Sequence, residues 1–331
     1  MINLFNLSSY NIYCILSDLD QQVQDLVANG LTANSSRTYA NANKKYFEFC
    51  AYFKLDPCII DEQTVLRFIT YLKTQQSAPS TIRVYLSGLR AWALANSIPC
   101  DNLYSPKVRW ALKAVSRLSQ PTTKVPPLGY SILASLAQSL TPSYDNLMIF
   151  SSMLLAYFSC LRSAEYCPSP NTASPLTPEH ISFHGSFGAK YMVIRVNSSK
   201  TAMHGFRVVV GCSGTRVCAV CWMAAYLEIR PFPPSSPLFI TSQGIPLSHS
   251  IMTSAMRSLL LGAGYPPNGF TPHSLRAGAA TDAAQRGLPD SVVQQLGRWK
   301  SDAFRAYLRP SDKAQGALSA RLAGVHLNTN N

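Results

Sequence analysis

Between residues 17 and 118, apolar side chains recur every three or four positions in one segment after another, which is the period of an α-helix. In 61–75 an acidic residue precedes Val65, Phe68, Ile69 and Leu72, which fall on one face. The segments 35–53, 78–96 and 106–118 repeat this pattern. The pattern predicts a compact all-α domain.

The pattern of apolar positions changes in the second half of the chain. Residues 130–140 and 146–166 are predicted to be helical, whereas "YMVIRV" (191–196) and "FRVVVG" (206–211) alternate with the period of a β-strand. The polar loop between these two runs predicts a β-hairpin, and helices are expected to continue from 218 to about Val325. The fold class expected is mainly α, with a small antiparallel β-sheet.

These patterns divide the chain into five segments. Residues 119–128 are rich in Pro, Thr and Ser and indicate an exposed linker. A chain of 331 residues is too long for one ordinary core, so two domains are expected. The predicted segments are an N-terminal extension (1–16), an all-α domain (17–118), the linker (119–128), a second domain (129–325) and a frayed C-terminus (326–331).

The charge of the chain is unbalanced. Only 14% of residues are charged, yet 29 Lys and Arg face 16 Asp and Glu, for a formal net charge of +13. An excess of positive charge favours a polyanionic partner, most often nucleic acid. Apolar residues make up 47% of the chain, which argues against a disordered protein.

The sequence offers little sign of secretion or membrane insertion. The apolar start lacks a basic region and a cleavage site, and no apolar run reaches the ~18 residues of a membrane span. We therefore expect an intracellular protein with nine reduced cysteines. The spacing of Cys212, Cys218 and Cys221 invites a zinc site. Because a second ligand pair at suitable spacing is missing, buried structural cysteines are favoured and no metal is expected.

Several polar residues stand out against the apolar pattern. Arg162 follows a long apolar helix and has Glu165 near it, Lys200 lies in the hairpin loop, and His273 and Arg276 share the first turn of a predicted helix. Trp299 and Tyr307 follow. Each has an ordinary explanation: a structural ion pair, a solvated lysine, or packing in the core.

Taken together and in this order, these residues resemble the tyrosine recombinase (phage-integrase) family. The matching motifs are Arg162 in "CLRSAE", Lys200 in "SSKT", "HSLR" at 273–276, "LGRW" at 296–299 and Tyr307 in "AYLR". The all-α region is similar to the core-binding domain of that family. The resemblance implies a two-domain architecture, a helical core-binding domain joined to a mixed α/β catalytic domain.

The resemblance also implies a role for each residue. Tyr307 is expected to attack a DNA phosphate and form a covalent 3′-phosphotyrosyl link. Arg162 and Arg276 would bind the phosphate oxygens, with Glu165 orienting Arg162, and His273 would act as general base or acid. Lys200 would protonate the 5′ oxygen, and the Trp299 indole would donate one hydrogen bond. No metal or ATP is expected.

The partners implied are double-stranded DNA and further copies of the chain. Six residues at helical spacing in the first domain are expected to face DNA: Arg37, Lys44, Lys45, Arg83, Ser87 and Arg90. The family resemblance implies a homo-tetramer acting on two DNA sites. The amphipathic segment 312–325 is expected to reach a neighbouring copy or to pack within its own chain.

Details of the motifs narrow the resemblance further. Three of them are most similar to recombinases of DIRS and Crypton mobile elements: Trp at position 299, the motif "GRWKSDAF", and a spacing from Trp299 to Tyr307 that is one residue shorter than in most bacterial relatives. This similarity implies that the protein acts in the nucleus. One alternative is a recombinase-derived protein that binds DNA without catalysis. Another is a helix-turn-helix factor over 280–299, with Gly287 in the turn and a capping box from Ser291 to Gln294. A type IB topoisomerase would use similar chemistry.

Overall fold

The chain forms two compact units, residues 1–122 and 123–331. The computed structural model describes residues 9–28, 30–120, 125–168, 174–186, 190–199, 202, 204–308, 316 and 319–320. None of the helices within these ranges is long and apolar enough to span a membrane. Residues 121–124 of the predicted linker, all but three residues of the predicted amphipathic segment 312–325, and the predicted frayed C-terminus (326–331) lie outside these ranges.

The first unit is built from helices. They are α1 (Ser9–Ala28), α2 (Ala33–Phe53), α3 (Glu62–Thr74), α4 (Pro79–Ala95) and α5 (Pro106–Leu118), with a 3-10 turn at Asp101–Tyr104. Asp61 caps α3 as expected, because its carboxylate accepts a hydrogen bond from the Thr64 backbone N–H at 2.6 Å. Helix α1 runs across residue 16, where the sequence places the end of an N-terminal extension.

The core of the first unit contains the predicted apolar faces. Val65, Phe68, Ile69 and Leu72 of α3 are buried, and the Phe68 ring lies 5.2 Å from that of Tyr46 on α2. Helix α2 packs against α4. On α2 itself, Tyr46 is buried, whereas Phe53, the last residue of the helix, is half exposed.

The second unit combines helices with a small sheet. Its elements are α6 (Tyr130–Ser139), α7 (Tyr144–Phe158), α8 (Ser163–Tyr166), β1 (Ile181–His184), β2 (Tyr191–Val196), β3 (Phe206–Gly211), α9 (Ala219–Ile229), α10 (His249–Gly262), α11 (His273–Gln285) and α12 (Asp290–Gly297). Two 3-10 segments, Pro178–His180 and Asp302–Ala306, complete it. The predicted fold class is confirmed.

The sheet is antiparallel, with strand order β1-β2-β3. Strands β2 and β3 form the predicted hairpin, with Val193 paired to Val209. The sequence did not predict β1, whose four residues pair with β2 so that Ile181 lies opposite Ile194. Met192, Ile194 and Val196 alternate along β2 and belong to the core cluster of this unit, so the sheet contributes one face to that core.

The apolar run 146–166 does not form one helix, as the sequence predicts, but two. Helix α7 ends at Phe158, and α8 begins at Ser163. Cys160 between them has a positive φ of 49°, a left-handed conformation that costs energy for a residue other than glycine. The break matters for the site described below, because it turns the backbone carbonyls at the end of α7 towards two arginines.

Helix α11 lies in the interior of the second unit. Its Asp282 carboxylate accepts hydrogen bonds from the Tyr130 backbone N–H, at 2.6 Å, and from the Tyr157 hydroxyl. A Cβ on Gly278 would lie 2.0 Å from the Leu128 carbonyl oxygen, so only glycine permits this approach. These contacts fix α11 against α6 and α7.

A turn joins α11 to α12, and Gly287 in that turn has φ +78°. The predicted capping box from Ser291 to Gln294 is wrong. With Ser291 at the N-cap the helix would begin at 292, but α12 begins two residues earlier, at Asp290, and Pro289 occupies the N-cap with an extended backbone and no side-chain cap. Ser291 therefore lies inside the helix rather than in front of it.

Candidate active site

Three aromatic rings converge at the end of the second unit. His273 is the first residue of α11, and its ring centroid lies 5.0 Å from that of Tyr307, at an angle of 61°. The Trp299 ring centroid lies 5.3 Å from the Tyr307 ring. Tyr307 therefore contacts both aromatic residues that the sequence singles out.

A 3-10 segment, rather than the predicted α-helix, carries the chain from Trp299 to Tyr307. It is anchored by Phe304, which is 1% exposed and packs in a small cluster with Ala280 and Val293. The Thr281 hydroxyl donates a hydrogen bond to the Tyr307 carbonyl at 2.9 Å. Because a 3-10 helix rises faster, its five residues cover about 10 Å instead of about 7.5 Å. The five residues of this segment therefore reach further along the chain direction than five residues of an α-helix would.

Arg276 is almost fully enclosed, with 1% of its surface exposed. Its two terminal nitrogens donate hydrogen bonds to the backbone carbonyls of Cys160 and Gly297. The guanidinium carbon lies 4.3 Å from the centroid of the Trp299 ring, a cation–π contact. In this arrangement Arg276 supports the backbone around the site and faces Trp299.

Glu165 joins two arginines. Its Oε1 lies 3.0 Å from Arg162 Nη1, and its Oε2 lies 3.3 Å from Arg298 Nη2. The Glu165 side chain is only 3% exposed, against 24% for Arg162 and 20% for Arg298. Oε2 also accepts a hydrogen bond from the Arg162 backbone N–H at 2.8 Å, which begins α8. Sequence reasoning paired Glu165 with Arg162 but missed Arg298.

The break after α7 provides acceptors for these arginines. The last carbonyls of a helix have no partner within the helix and favour cations nearby. Arg298 donates to the Ser159 carbonyl at 2.9 Å and to the Cys160 carbonyl at 3.1 Å. Since Arg276 uses the same Cys160 carbonyl, one peptide group connects α7, α11 and the end of α12.

The site contains more positive than negative charge. Arg162, Arg276 and Arg298 surround the single carboxylate of Glu165. Burial lowers the pKa of both Arg276 and Arg298, and the charge of the neighbouring guanidiniums lowers it further. Both remain protonated at neutral pH because arginine starts so high. The local excess of positive charge suits an anionic group.

The surroundings of the His273 imidazole favour its neutral form. Burial lowers its pKa below the usual value of 6.5, and the nearby charges of Arg276 and Arg162 act in the same direction. A neutral imidazole at pH 7 can accept a proton. Its ring is in contact with the ring of Tyr307.

Solved structures with the same fold include several DNA recombinases. A XerH site-specific recombinase bound to a palindromic difH substrate aligns with a TM-score of 0.63 at 17% identity, over 98% of this chain and 91% of that one. The Tn1549 transposon integrase in complex with transposon right-end DNA gives 0.60 at 14% identity, over 91% and 98%. A lambda integrase dimer bound to a COC′ core site gives 0.55 at 17%, over 93% and 83%.

Part of the second unit also matches a known family at the level of sequence. Residues 189–313 match the Phage integrase family. No curated protein matches the chain. The matched range contains Lys200, His273, Arg276, Trp299 and Tyr307. Arg162 and Glu165 precede it and reach the same site through Arg298.

Lys200, a predicted site residue within the phage-integrase match, lies outside the described residues. The hairpin around it is described up to Ser199 and again at Ala202, and these two residues exchange backbone hydrogen bonds. Phe206, the first residue of β3, lies beneath the Arg298 guanidinium, whose carbon is 4.2 Å from the ring centroid. The start of β3 is therefore part of the wall of the site.

The residues predicted to face DNA lie before the phage-integrase match, on two helices of the first unit. Arg37, Lys44 and Lys45 are on α2, and Arg83, Ser87 and Arg90 are on α4. Arg83 is exposed and donates a hydrogen bond to the Ser116 hydroxyl at 2.9 Å, while Lys45 forms an ion pair with Glu48 at 3.3 Å. The spacing of 83, 87 and 90 places them on one face of α4.

The glycine of "GRW" within the matched range has a steric role that can be tested. A Cβ on Gly297 would lie 1.7 Å from a Trp299 ring carbon. Gly297→Ala should therefore displace the indole from Arg276 and destabilise the second unit by about 1–3 kcal/mol, as overpacking usually does. Urea unfolding monitored by circular dichroism measures this loss.

Gly262 provides the matched control for that substitution. It is the last residue of α10, and a Cβ added to it would have nothing within 4 Å. Gly262→Ala should leave stability unchanged or raise it by up to about 1 kcal/mol, because alanine is the better helix former. Equal effects of the two substitutions would contradict the proposed contact between position 297 and Trp299.

Proposed function

We propose that this chain is a tyrosine recombinase, which cuts and rejoins duplex DNA through a covalent 3′-phosphotyrosyl intermediate. The observation that carries the proposal is the contact of the Tyr307 ring with His273, 5.0 Å between centroids, beside the buried arginine cluster. A phenol, a neutral base and excess positive charge are the three components that attack on a phosphodiester needs. The match of 189–313 to the Phage integrase family supports the same chemistry.

The proposed reaction is an exchange of one phosphate ester for another. Tyr307 Oη attacks the scissile phosphorus as its proton passes to His273. A bond forms between the tyrosine oxygen and phosphorus, the bond from phosphorus to the 5′ oxygen breaks, and Lys200 supplies the proton that the 5′ oxygen takes up. Attack by a 5′ hydroxyl on the phosphotyrosine reverses these steps and rejoins the DNA, so the reaction needs no ATP.

The arginines would stabilise the negative charge that develops on the non-bridging phosphate oxygens. Arg162 is partly exposed and keeps its guanidinium aligned through Glu165, so it can form charge-assisted hydrogen bonds to phosphate. Arg276 is 1% exposed and makes a cation–π contact with Trp299. For Arg276 to bind phosphate directly, the Trp299 side chain has to move. Trp299 would then offer its indole N–H to the same phosphate.

The partner that this chemistry implies is double-stranded DNA, bound with little sequence information through its phosphates. The six residues of α2 and α4 named above are the proposed contacts in the first unit. Exchange between two duplexes requires two sites, and we propose a homo-tetramer on two DNA sites. From the sequence around Trp299 we also propose that the protein belongs to a eukaryotic mobile element of the DIRS or Crypton type. It would act in the nucleus and integrate or excise that element.

Trapping of the covalent intermediate tests the proposal. The full chain is incubated with a labelled pool of duplexes with randomised centres, nicked a few nucleotides 3′ of each candidate phosphate. After cleavage, the short fragment with its 5′ hydroxyl leaves and rejoining stops. A labelled band that migrates with the protein on a denaturing gel is expected, and digestion with mass spectrometry should identify the linked tyrosine.

The outcome separates the candidate functions. Salt-sensitive binding to the duplexes without any covalent band would favour a recombinase-derived protein that binds DNA without catalysis. A covalent band together with relaxed circles, but without recombinant junctions, would favour a type IB topoisomerase. A band linked to Tyr307, with junctions from paired duplexes, supports the recombinase.

The pH dependence of trapping tests the role of His273. Because burial and nearby arginines lower the pKa of this imidazole, it gains a proton only below its usual range. The single-turnover rate of covalent joining should therefore rise with pH through a midpoint below 6.5 and then level off. Rapid-quench measurements from about pH 4.5 to about pH 8 span this midpoint and provide the profile.

The same shift predicts a change in stability. The unfolded chain binds a proton at this histidine at a higher pH than the folded chain does, so His273 opposes folding as the pH falls below about 6.5. His273→Gln should reduce the loss of stability between about pH 7 and about pH 5 and remove the rise in rate. A rate profile that is the same in wild type and His273→Gln would show that another group is the base.

A further inference from the structure

A cluster of three cysteine sulfurs lies outside the candidate active site. Cys212 Sγ is 3.4 Å from Cys218 Sγ and 3.7 Å from Cys221 Sγ, and all three sulfurs lie within 4.8 Å of one another. Within the ranges that the structure describes, this is the only group of three or more potential metal ligands so close together. We propose that these cysteines bind one Zn²⁺ ion.

The spacing of the sulfurs suits zinc. Zinc bonds to thiolate at about 2.3 Å in a tetrahedral arrangement, which separates two sulfurs on one ion by about 3.8 Å. The two separations from Cys212 are within a few tenths of an ångström of that value, and the third pair of sulfurs lies within 4.8 Å. A disulfide would need the sulfurs about 2.05 Å apart and would leave one thiol over.

The backbone holds the three ligands in position. Cys212 directly follows β3, and its N–H donates to the Lys190 carbonyl at 2.8 Å. Cys218 caps α9 and Cys221 lies in the first turn of that helix. Between them, Gly214 adopts φ +65°, and the Trp222 indole N–H donates to the Arg216 carbonyl at 2.7 Å. The loop is thus closed by hydrogen bonds, and zinc would not have to order it.

Exposure of the cluster is graded in a way that suits metal entry. Cys218 is 1% exposed, Cys212 is half-buried and Cys221 is exposed. An ion can therefore reach the sulfurs from the side of Cys221, where water would complete the fourth position. The other buried cysteines that the structure describes, such as Cys50 and Cys167, are single residues within the apolar cores. Burial in the core explains those cysteines but not an exposed Cys221 in contact with a second thiol.

The proposed ion would act on structure rather than on the phosphate. Phe206, at one end of β3, borders the active site, whereas Cys212 follows the other end. Five residue steps along a strand separate these ends by about 17 Å. Zinc at the cluster would join the hairpin that contains Lys200 to the start of α9. The inference stands whether or not the proposed recombinase activity is correct.

Cobalt provides a direct test, because tetrahedral cobalt–thiolate sites absorb strongly in the near ultraviolet and the visible. The full chain, reduced and freed of metal, is titrated with Co²⁺ and then with Zn²⁺ under exclusion of oxygen. We expect one Co²⁺ per chain with thiolate charge-transfer bands, which one equivalent of Zn²⁺ removes. Zinc should also raise the melting temperature of the second unit.

Serine variants identify the ligands. Cys221→Ser alters an exposed side chain, so the protein should fold, and it should bind Zn²⁺ at least about tenfold more weakly. Cys58→Ser is the matched control, since Cys58 is an exposed free cysteine in the first unit, and it should bind as wild type does. Cys212→Ser should behave like Cys221→Ser.

Three results would overturn the proposal. They are wild-type protein without cobalt–thiolate bands, Cys221→Ser with unchanged zinc affinity, and preferential binding of univalent copper at three sulfurs with no measurable zinc. Because every readout is metal binding or thermal stability, none of them depends on covalent joining to DNA.

Discussion

Tyr307→Phe is expected to eliminate the covalent protein–DNA product while the chain stays folded and still binds DNA. Phenylalanine keeps the ring contacts with His273 and Trp299, which lie at 5.0 and 5.3 Å, and removes only the hydroxyl. The carbonyl that accepts from Thr281 belongs to the backbone and is unchanged. Without its nucleophile the reaction has no alternative route, so the rate of joining should fall by about 10⁴-fold or more.

The measurement is the yield of labelled covalent band on nicked duplexes, alongside a gel-shift titration of the same DNA. Tyr265→Phe is the matched control. Tyr265 is a half-buried tyrosine of the second unit that donates to the Ser135 hydroxyl at 3.0 Å, and its loss should leave the band intact. A band of unchanged strength in Tyr307→Phe would assign the nucleophile to another residue, and peptide mapping would identify it.

Arg276→Lys is expected to destabilise the second unit by about 3 kcal/mol, even though the charge is kept. The guanidinium donates to two carbonyls, those of Cys160 and Gly297, and makes a cation–π contact with the Trp299 ring. A lysine ammonium is a point donor that cannot span both acceptors or stack on the indole. The buried charge would lose partners that it cannot replace, because Arg276 is almost fully enclosed.

For a unit of about 200 residues this loss corresponds to a fall in melting temperature of roughly 6–12 °C. Scanning calorimetry of the full chain measures it, and the transition of the first unit serves as an internal reference. Arg257→Lys is the matched control, since the half-buried Arg257 donates to one backbone carbonyl, that of Phe270, at 3.0 Å. If Arg276→Lys melted like wild type but lost joining, Arg276 would act on the phosphate alone.

Much of the fold follows from local patterns in the sequence. The hairpin strands at 191–196 and 206–211 and the helix at 106–118 lie where their periodicity predicts. These elements have clear alternation or an amphipathic face, bounded by polar or proline residues. The strand β1 escaped notice because four residues are too few to establish a period, and pairing with β2 makes them a strand.

Other features depend on contacts distant in sequence. Nothing in the apolar run 146–166 predicts a break, because the run contains neither glycine nor proline; the first proline after it is Pro168. The break is stabilised by Arg276 and Arg298, more than a hundred residues away, which bind the exposed carbonyls. Likewise, the sequence places Cys212 after a strand and Cys218 and Cys221 at the start of a helix, but it does not show how close their three sulfurs lie.

For the candidate site, the order of residue types was enough to choose His273, Arg276, Trp299 and Tyr307, and the structure places these four side by side. Arg298 was overlooked, although it stands in the quoted "LGRW". Its φ of +56° directs the side chain back towards Glu165, and such a backbone turn cannot be read from the residue type. That Arg276 is buried rather than open to solvent was equally hidden.

The three guanidiniums around Glu165 also store energy. Like charges crowded in a low-dielectric pocket repel one another, and a single carboxylate offsets only part of that repulsion. A bound phosphate diester would relieve it, so the DNA backbone would act on this unit as a missing counter-charge. Inorganic sulfate or phosphate would do so more weakly. The melting temperature of the free protein should therefore rise with the concentration of either anion in the buffer.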